Sequence, residues 1–375
     1  MTTTAARPTL AGGLRGRLLR LAERVTTPLV PADYLDVIDP LRSGATLRGR
    51  IVAIHPETAD ASTLVIKPGR GWRTHVPGQY ARVGVDVDGV RQWRTYSLTS
   101  EITRPDGCIC ITVKAIGEGI VSNHLVHRAP VGTVVHLDQA AGNFTLDAPA
   151  TAKLLFVTAG SGITPVMGML RNMSADRHRD VVVVHCAPTA ADVIFGEELR
   201  SLAARGHIRL VEIHTRTAGR LNIARIGDLV DDFTDRLTWA CGPADLLDDI
   251  ENHWMATAVT ATLRTERFRF AAIAPGDGGT VTFSTTRSTI DATGAQSILD
   301  AGESAGVLMP SGCRMGICFG CVVPLRQGAV RDLRDGEITT AAPGDGVVIQ
   351  TCISAAAGAC EIELSNASTT KETPQ

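Results

Sequence analysis

The stretch GCRMGICFGC, residues 312–321, brings three cysteines close together near the end of a chain of 375 residues. The spacing is Cys313-x4-Cys318-x2-Cys321, and Cys352 follows after a longer interval. The amino-terminal residues lack the uninterrupted apolar stretch of a secretory signal, so we expect a cytoplasmic protein. Because disulfides rarely persist in that compartment, these cysteines indicate metal or redox chemistry.

The spacing of the four cysteines is typical of a plant-type [2Fe–2S] site, in which thiolates hold two irons. The predicted metal ligands are Cys313, Cys318, Cys321 and Cys352. Glycines interleave them, as a tight loop that approaches a cluster requires, and Ile317 and Phe319 are expected to shield the cluster from water. A zinc site normally needs two Cys-x2-Cys pairs, which are not present here. The other alternative is that the cysteines are buried structural residues that bind no metal, and this role suits Cys360.

The residues around the cysteines predict short strands and one helix. The segments are TVTFSTT (280–286), SILDAGESAG (297–306), CVVPL (321–325) and DGVVIQTC (345–352). The second has the apolar spacing of a helix, and the others have the composition of strands. Strands, one helix and a cysteine loop in this order resemble the β-grasp ferredoxin domain, which we place at residues 280–366, before a tail at 367–375.

The middle of the chain alternates strands and helices. The segment KLLFVTAGSGITPVMGMLRNM, residues 153–173, is an apolar strand, a glycine turn and a helix, after which the alternation repeats. This pattern predicts a parallel sheet with helices on both faces and a ligand beyond the carboxyl ends of the strands. Gly160 and Gly162 allow a phosphate to approach the helix start. The dinucleotide pattern G-x-G-x-x-G is not met, since Pro165 replaces its third glycine, so a purely geometric role of the turn stays open.

Residues 48–149 have a different character. Short β-branched segments separated by turn residues predict an antiparallel barrel or sandwich. The net charge of −2 and the 4% of aromatic residues argue against nucleic acid as the main partner. No apolar segment is long enough to cross a bilayer.

Three motifs resemble the ferredoxin–NADP reductase superfamily: RTYS at 94–97, GSGITP at 160–165 and CGP at 241–243. With the carboxy-terminal cysteine domain, the chain resembles reductases of bacterial multicomponent oxygenases and desaturases. The resemblance implies an antiparallel β-barrel FAD domain at 48–149, an α/β Rossmann-like NAD(P) domain at 150–272, a linker at 273–279 and a β-grasp [2Fe–2S] domain. The implied cofactors are FAD, the cluster, and NADPH or NADH.

The resemblance also implies residue roles at the flavin. Arg94 pairs with a flavin phosphate, Tyr96 lies against the flavin ring, and Ser97 hydrogen-bonds its polar edge. A turn of Gly119, Val121 and Ser122 holds the pyrophosphate. Glu266 and Phe268 match a family segment whose aromatic side chain shields the flavin, although Arg264 stands where relatives often have histidine. A core position in a strand is the alternative for Tyr96.

The residues that the resemblance assigns to the pyridine nucleotide are Thr158, Gly160, Gly162, Thr164, Pro165, Cys241, Gly242 and Pro243. Cys241 lies beside the nicotinamide in this interpretation, and its alternative role is that of a small buried hydrophobic residue. The site of hydride transfer would be surrounded by Tyr96, Ser97, Cys241 and Phe268. A 2′-phosphate needs arginines after the second or third strand, where Arg216 and Arg220 are the candidates, and the resemblance favours NADPH over NADH.

These parts predict an oxidoreductase that passes electrons from NAD(P)H to FAD, then to the cluster, then to an outside acceptor. A flavin is needed between them because a nicotinamide gives two electrons and a cluster accepts one. The segment TTPLVPADYL and the other motifs are similar to actinobacterial reductases that serve a membrane-bound stearoyl-CoA desaturase. This desaturase, a diiron enzyme, is the first candidate for the electron acceptor. A soluble oxygenase of the phenylacetyl-CoA or steroid type is the second, and a redox-sensing interaction protein is the third.

An amino-terminal arm at 1–47 lies outside the reductase resemblance. Leu14, Leu18 and Leu21 have helical spacing, with arginines between them. A basic amphipathic helix of this kind can contact the inner face of an anionic membrane, dock on a partner, or pack against its own barrel, and these alternatives stay open.

Overall fold

The structure is a computed structural model that describes residues 41, 47–87, 89–117, 119–173, 179–259, 262–268, 276–312, 314, 316 and 319–364. Nearly all of the predicted arm, the tail at 367–375, and the predicted ligands Cys313 and Cys318 lie outside these residues. No helix in the described ranges is long and apolar enough to span a membrane.

The first domain is a six-stranded antiparallel sheet in the order β4-β3-β6-β1-β2-β5. Its elements are β1 Arg48–Thr58, β2 Ala61–Pro68, β3 Tyr80–Val87, β4 Val90–Ser97, β5 Ile109–Lys114, α1 Ile120–His127 and β6 Val134–Leu137. Leu98, just after β4, forms an antiparallel bridge with Ile111 of β5, and both are fully buried. We call this contact the barrel seam, because it joins the two edge strands of the sheet. The predicted barrel is confirmed.

The second domain is a parallel five-stranded sheet in the order β11-β10-β7-β8-β9. Its strands are β7 Leu154–Ala159, β8 Val181–Ala187, β9 Arg209–His214, β10 Leu237–Cys241 and β11 Leu263–Glu266. Its helices are α2 Ile163–Arg171, α3 Gly196–Ala204, α4 Thr215–Ala218, α5 Ile226–Leu229 and α6 Ala244–Ala256. The strand order reverses between β7 and β10, so a crevice opens beyond their carboxyl ends. The glycine turn and the CGP segment both lie at that crevice.

The third domain is a mixed sheet in the order β13-β12-β17-β14-β15, with β16 paired to β14. Its elements are β12 Gly276–Phe283, β13 Ser288–Gly294, α7 Ile298–Ser304, β14 Val322–Asp332, β15 Ile338–Ala341, β16 Val348–Gln350 and β17 Ser354–Ile362. Ser297 caps α7, because its hydroxyl accepts a hydrogen bond from the Asp300 amide at 3.1 Å. Ile298 and Leu299 then face a core that includes Phe283. The three-domain fold class is confirmed.

Two segments differ from the sequence prediction. The residues 192–206 predict one helix, but α3 begins only at Gly196, after Phe195 adopts a left-handed conformation with φ 60°. Val193, Ile194 and Phe195 are buried, so packing of this apolar turn determines where the helix starts. At the other segment, β12 begins at Gly276, inside the stretch 273–279 predicted as a linker.

Candidate functional site

The three domains surround one large cavity of about 1120 Å³. Ser97 and Tyr96 line it from the barrel, Phe268 from the parallel-sheet domain, and Cys352 from the cysteine domain. A single cavity therefore reaches residues that the sequence assigned to the flavin, to its aromatic shield and to the cluster.

Strand β4 brings the RTYS residues to the cavity. Arg94 and Tyr96 are two residues apart on the strand, so their side chains project to the same side, and Ser97 is the last residue of the strand. The Ser97 hydroxyl is buried and has no hydrogen-bond partner among the described residues. Since a buried hydroxyl without a partner is costly, this group fits the polar edge of a bound ring. Burial raises the pKa of Tyr96 far above its ordinary value, so its phenol is neutral.

Arg94 is held on the cavity wall by its own strand, where its Nη1 donates to the Trp93 carbonyl at 2.8 Å. Burial lowers the pKa of Arg94, and the nearby Arg314 guanidinium lowers it further. A partly buried guanidinium close to a second one is stabilised by an anion, as a flavin phosphate would provide.

The amino-terminal end of α1 forms another wall of the cavity. Ser122 donates to the Gly119 carbonyl at 3.2 Å and accepts from the Ile116 amide at 3.3 Å. A β-carbon on Gly119 would lie 2.4 Å from the Ser122 hydroxyl, so the turn requires glycine. Val121 is buried in the barrel core, and the helix start faces the cavity, where its amides favour a pyrophosphate.

The glycine turn after β7 packs directly on the CGP segment after β10. A β-carbon on Gly162 would lie 2.0 Å from the Cys241 carbonyl oxygen, a distance at which something must move. Gly160 has a φ of 55°, and Thr164 donates to the Ser161 carbonyl at 2.9 Å. Gly242 follows Cys241, and Pro243 precedes the first turn of α6. The predicted nucleotide turn is thus a compact two-loop structure.

Two of the residues assigned to that turn, Thr158 and Pro165, are buried and do not line the cavity. The Thr158 hydroxyl lies 2.8 Å from His185 Nδ1, and burial lowers the pKa of His185 to about 4. Pro165 packs inside α2. Their side chains support the turn from behind, so contact with a nucleotide there would come from main-chain groups.

Cys241 is also covered. Its side chain is fully buried and its thiol pKa is raised well above the ordinary value, mainly by burial. Phe268 packs against the same core cluster and faces the cavity. The structure therefore places Phe268 on the cavity surface and Cys241 beneath that surface.

Glu266 pairs in register with Cys241 and lines the cavity. Its Oε2 is buried without a hydrogen-bond partner among the described residues. Burial raises the pKa of this carboxyl to about 8, so it is mostly protonated at neutral pH. A neutral carboxyl can donate a hydrogen bond to a ligand. Arg264, in contrast, stacks 5.0 Å from the Trp239 ring centroid and is not part of the cavity wall.

Arg216 lies on the exposed edge of the parallel sheet, just after β9. Its main-chain amide donates to the Pro188 carbonyl at 3.1 Å, and this hydrogen bond holds Arg216 beside the carboxyl end of β8. Its guanidinium has no carboxylate partner among the described residues, whereas Arg220 is paired with Asp245. Arg216 is therefore available to a phosphate on a ligand that crosses these strand ends.

The described part of the cysteine loop brings two predicted ligands together. Thr351 donates to the Cys321 carbonyl through its amide at 3.2 Å and through its hydroxyl at 3.1 Å. Cys352, the next residue, is therefore held next to Cys321, and both are buried. No group of three metal-binding side chains occurs among the described residues, which include only these two of the four cysteines. Phe319 is 68% exposed, and its expected role as a shield of the cluster stays a prediction, while Ile317 lies outside the described residues.

The charged residues of the third domain that reach the cavity were not predicted from the sequence. Arg314 donates to Asp300 at 2.8 Å and to Glu303, which fastens the cysteine loop to α7. All three side chains line the cavity. The only sequence signal was an arginine next to a predicted ligand, and nothing in the chain order indicates that it approaches Arg94.

Models of three known domain families match the chain. An oxidoreductase FAD-binding domain matches residues 72–146, an oxidoreductase NAD-binding domain matches 156–252, and a 2Fe-2S iron–sulfur cluster binding domain matches 281–357. The three matches follow the order of the three folded domains.

Similar proteins match between about three quarters and nearly all of the chain. An NADPH oxidoreductase of Mycobacterium tuberculosis is 48% identical over 368 residues, with 96% of each chain covered. The ferredoxin reductase component of 3-ketosteroid-9-alpha-monooxygenase from the same species is 30% identical over 319 residues, covering 80% of this chain and 85% of that one. A glycine betaine monooxygenase reductase subunit of Pseudomonas aeruginosa is 29% identical over 309 residues, covering 74% and 84%.

Among solved structures, phthalate dioxygenase reductase has a similar fold. The TM-score is 0.60 at 22% sequence identity, with 85% of this chain and 98% of the other covered. At this identity, the likeness concerns the fold alone.

Proposed function

Because the chain belongs to the ferredoxin-reductase type of NAD(P)H oxidoreductases, with FAD-binding, NAD-binding and 2Fe-2S domains in one polypeptide, we propose that it supplies electrons from NADPH to an oxygen-activating enzyme. Its cofactors are FAD, a [2Fe–2S] cluster and NAD(P)H. A bound flavin would supply the conversion between the two-electron chemistry of a nicotinamide and the one-electron chemistry of the cluster.

The observation that carries this proposal is the cavity shared by the three domains. Arg94 and the amino-terminal end of α1 would bind the pyrophosphate of FAD. Ser97 would donate to or accept from the polar edge of its ring, and Phe268 would cover the ring face until a nicotinamide takes its place. Cys352 would present the cluster from the opposite wall.

Replacing Arg94 with methionine is expected to lower the affinity for FAD by about ten- to a hundredfold, the worth of one or two charge-assisted hydrogen bonds. Titration of the FAD-free protein with FAD, followed by flavin fluorescence, measures this. Arg91→Met is the matched control, since Arg91 lies on the same strand in an exposed ion pair with Asp86. Equal FAD affinities of the two variants would contradict the role of Arg94.

The preference for NADPH is proposed from Arg216, which is exposed at the strand ends and carries no carboxylate partner within the described chain. Arg216→Gln is expected to raise the KM for NADPH about tenfold, as for the loss of one charge-assisted hydrogen bond, with little change in the KM for NADH. Arg220→Gln provides the control, because Asp245 already neutralises Arg220. A parallel rise in both KM values would show that Arg216 does not recognise the 2′-phosphate.

An oxygenase is the acceptor that the similar proteins favour. Two of them are named as reductases of a ketosteroid monooxygenase and a glycine betaine monooxygenase. We propose an acceptor of this class, a soluble oxygenase that receives single electrons at an iron centre.

A membrane fatty-acyl-CoA desaturase is the second acceptor that we propose. Its support is the sequence of the arm at 1–47, whose basic amphipathic pattern suits a membrane surface. The arm lies outside the described residues, apart from Leu41 and Leu47, so this candidate depends on sequence alone.

The test combines cofactor analysis with reconstitution. The anaerobically purified protein is expected to contain FAD, non-haem iron and acid-labile sulfide, and to reduce cytochrome c rapidly with NADPH. Slow NADPH oxidation despite intact cofactors would instead favour a redox sensor. NADPH-dependent turnover is then measured with a purified steroid-type oxygenase and with a desaturase in vesicles, using the intact and the arm-deleted protein. Arm-dependent turnover with the desaturase alone would select the second acceptor.

A further inference from the structure

Arg82 connects the barrel to the cysteine domain. It lies on β3, and its Nη2 donates to the main-chain carbonyl of Ser311 at 2.5 Å, across 229 residues of sequence. Ser311 directly precedes the stretch GCRMGICFGC. The hydrogen bond therefore joins the outer surface of the flavin barrel to the beginning of the cysteine loop.

The barrel holds the Arg82 guanidinium in one orientation from two further sides. Nη1 forms an ion pair with Asp138 at 3.0 Å, and the Asp138 amide donates back to the Arg82 carbonyl at 3.0 Å. The guanidinium also stacks on the Trp93 ring, 5.0 Å from its centroid. Trp93 is the neighbour of Arg94 on β4. The side chain is mostly covered, with 21% of its surface exposed.

This arrangement uses both terminal nitrogens and the flat face of the guanidinium, while its Nε is buried without a hydrogen-bond partner among the described residues. One nitrogen contacts a carboxylate of the barrel, another contacts the cysteine domain, and the flat face rests on an aromatic ring. Lysine cannot supply these contacts together, because its ammonium group is a single point charge. Since the acceptor on the cysteine domain is a main-chain carbonyl, the contact depends on the identity of residue 82 and not on that of residue 311.

We propose that Arg82 is a positioning residue for electron transfer, which fixes the cysteine loop at a set distance from the flavin. The inference rests on the proposed function, in which electrons pass from the flavin to the cluster. Arg82 touches neither cofactor in this role. It determines where the first part of the loop lies relative to β3 and β4, and β4 carries the flavin-binding residues.

The experiment compares Arg82→Lys and Arg82→Met with the wild-type holoprotein. In anaerobic stopped-flow measurements with NADPH, flavin reduction is expected to stay within about twofold, while cluster reduction slows about tenfold or more, since a misplacement near 1 Å can cost as much. Hydrogen–deuterium exchange of the oxidised holoprotein provides a second readout. Exchange is expected to rise in residues 305–312 of the variants, because the contact with Ser311 is lost.

Arg91→Lys is the matched control, since Arg91 lies on the adjacent strand and pairs with Asp86 on β3 at 2.9 Å without a contact to the cysteine domain. It is expected to leave both rates and the exchange pattern unchanged. Unchanged cluster reduction in both Arg82 variants would overturn the proposal, as would an equal slowing of flavin and cluster reduction. Failure of NADPH to reduce the wild-type flavin would reject the proposed function instead, while the exchange measurement would still report on the contact.

Discussion

Replacement of Cys352 with alanine is expected to remove the [2Fe–2S] cluster and leave the flavin in place. Cys352 is buried, lines the shared cavity and lies next to Cys321 through the two hydrogen bonds of Thr351. Mutation of residues that only support the ligands of a metal site lowers metal affinity or activity by roughly ten- to a hundredfold. Removal of a ligand itself should have a larger effect, so the rate of cytochrome c reduction should fall by more than about a hundredfold. Reduction of the bound flavin by NADPH should continue, because that step does not involve the cluster.

Cys360→Ala is the control for this variant. Cys360 is a buried cysteine of the same domain that lies on β17 and packs in the domain core, and burial raises its thiol pKa to about 11. Iron and sulfide content should match the wild-type protein in Cys360→Ala and fall to near zero in Cys352→Ala. Wild-type iron and sulfide in the Cys352 variant would exclude it from the ligand set.

Gly162→Ala is expected to disable the nucleotide site. The added β-carbon would lie 2.0 Å from the Cys241 carbonyl oxygen and 2.5 Å from its carbon, both of which are main-chain atoms. Relief requires the turn and the CGP segment to separate. We expect the rate of flavin reduction by NADPH to fall on the order of a hundredfold, and the free energy of unfolding to fall by about 1–3 kcal/mol.

The control for this variant is Gly227→Ala. A β-carbon on Gly227 would lie no closer than 3.7 Å to the Phe233 ring, and this glycine has an ordinary backbone conformation in the same domain. Flavin reduction and stability should therefore stay near wild type. Stopped-flow flavin reduction and urea unfolding measure both quantities, and an active Gly162→Ala protein would show that the two loops can separate without loss.

The repeated strand–helix pattern and the short β-branched segments predicted the domain order correctly. The reason is physical, since the periodicity of apolar residues determines which element can bury its face. The motif residues on β4, at the glycine turn and after β10 do converge on one crevice. Their individual roles remain predictions.

Strand β17 shows why other features were missed. Its sequence SAAAGACEI, residues 354–362, is rich in alanine and glycine, which are poor strand formers. It nevertheless forms a strand because β12 pairs with it on one side and β14 on the other. Tertiary pairing of this kind is invisible in local sequence, and so is the hydrogen bond between Arg82 and Ser311.

The barrel seam has a consequence for how the protein keeps its prosthetic group. Leu98 follows the strand that carries Arg94, and Ile111 lies on the strand that leads into α1. A flavin bound to both walls would hold the two edge strands together at the barrel seam. Tight retention of FAD and thermal resistance of the amino-terminal half should consequently rise and fall together, since a ligand that binds only the folded state stabilises that state.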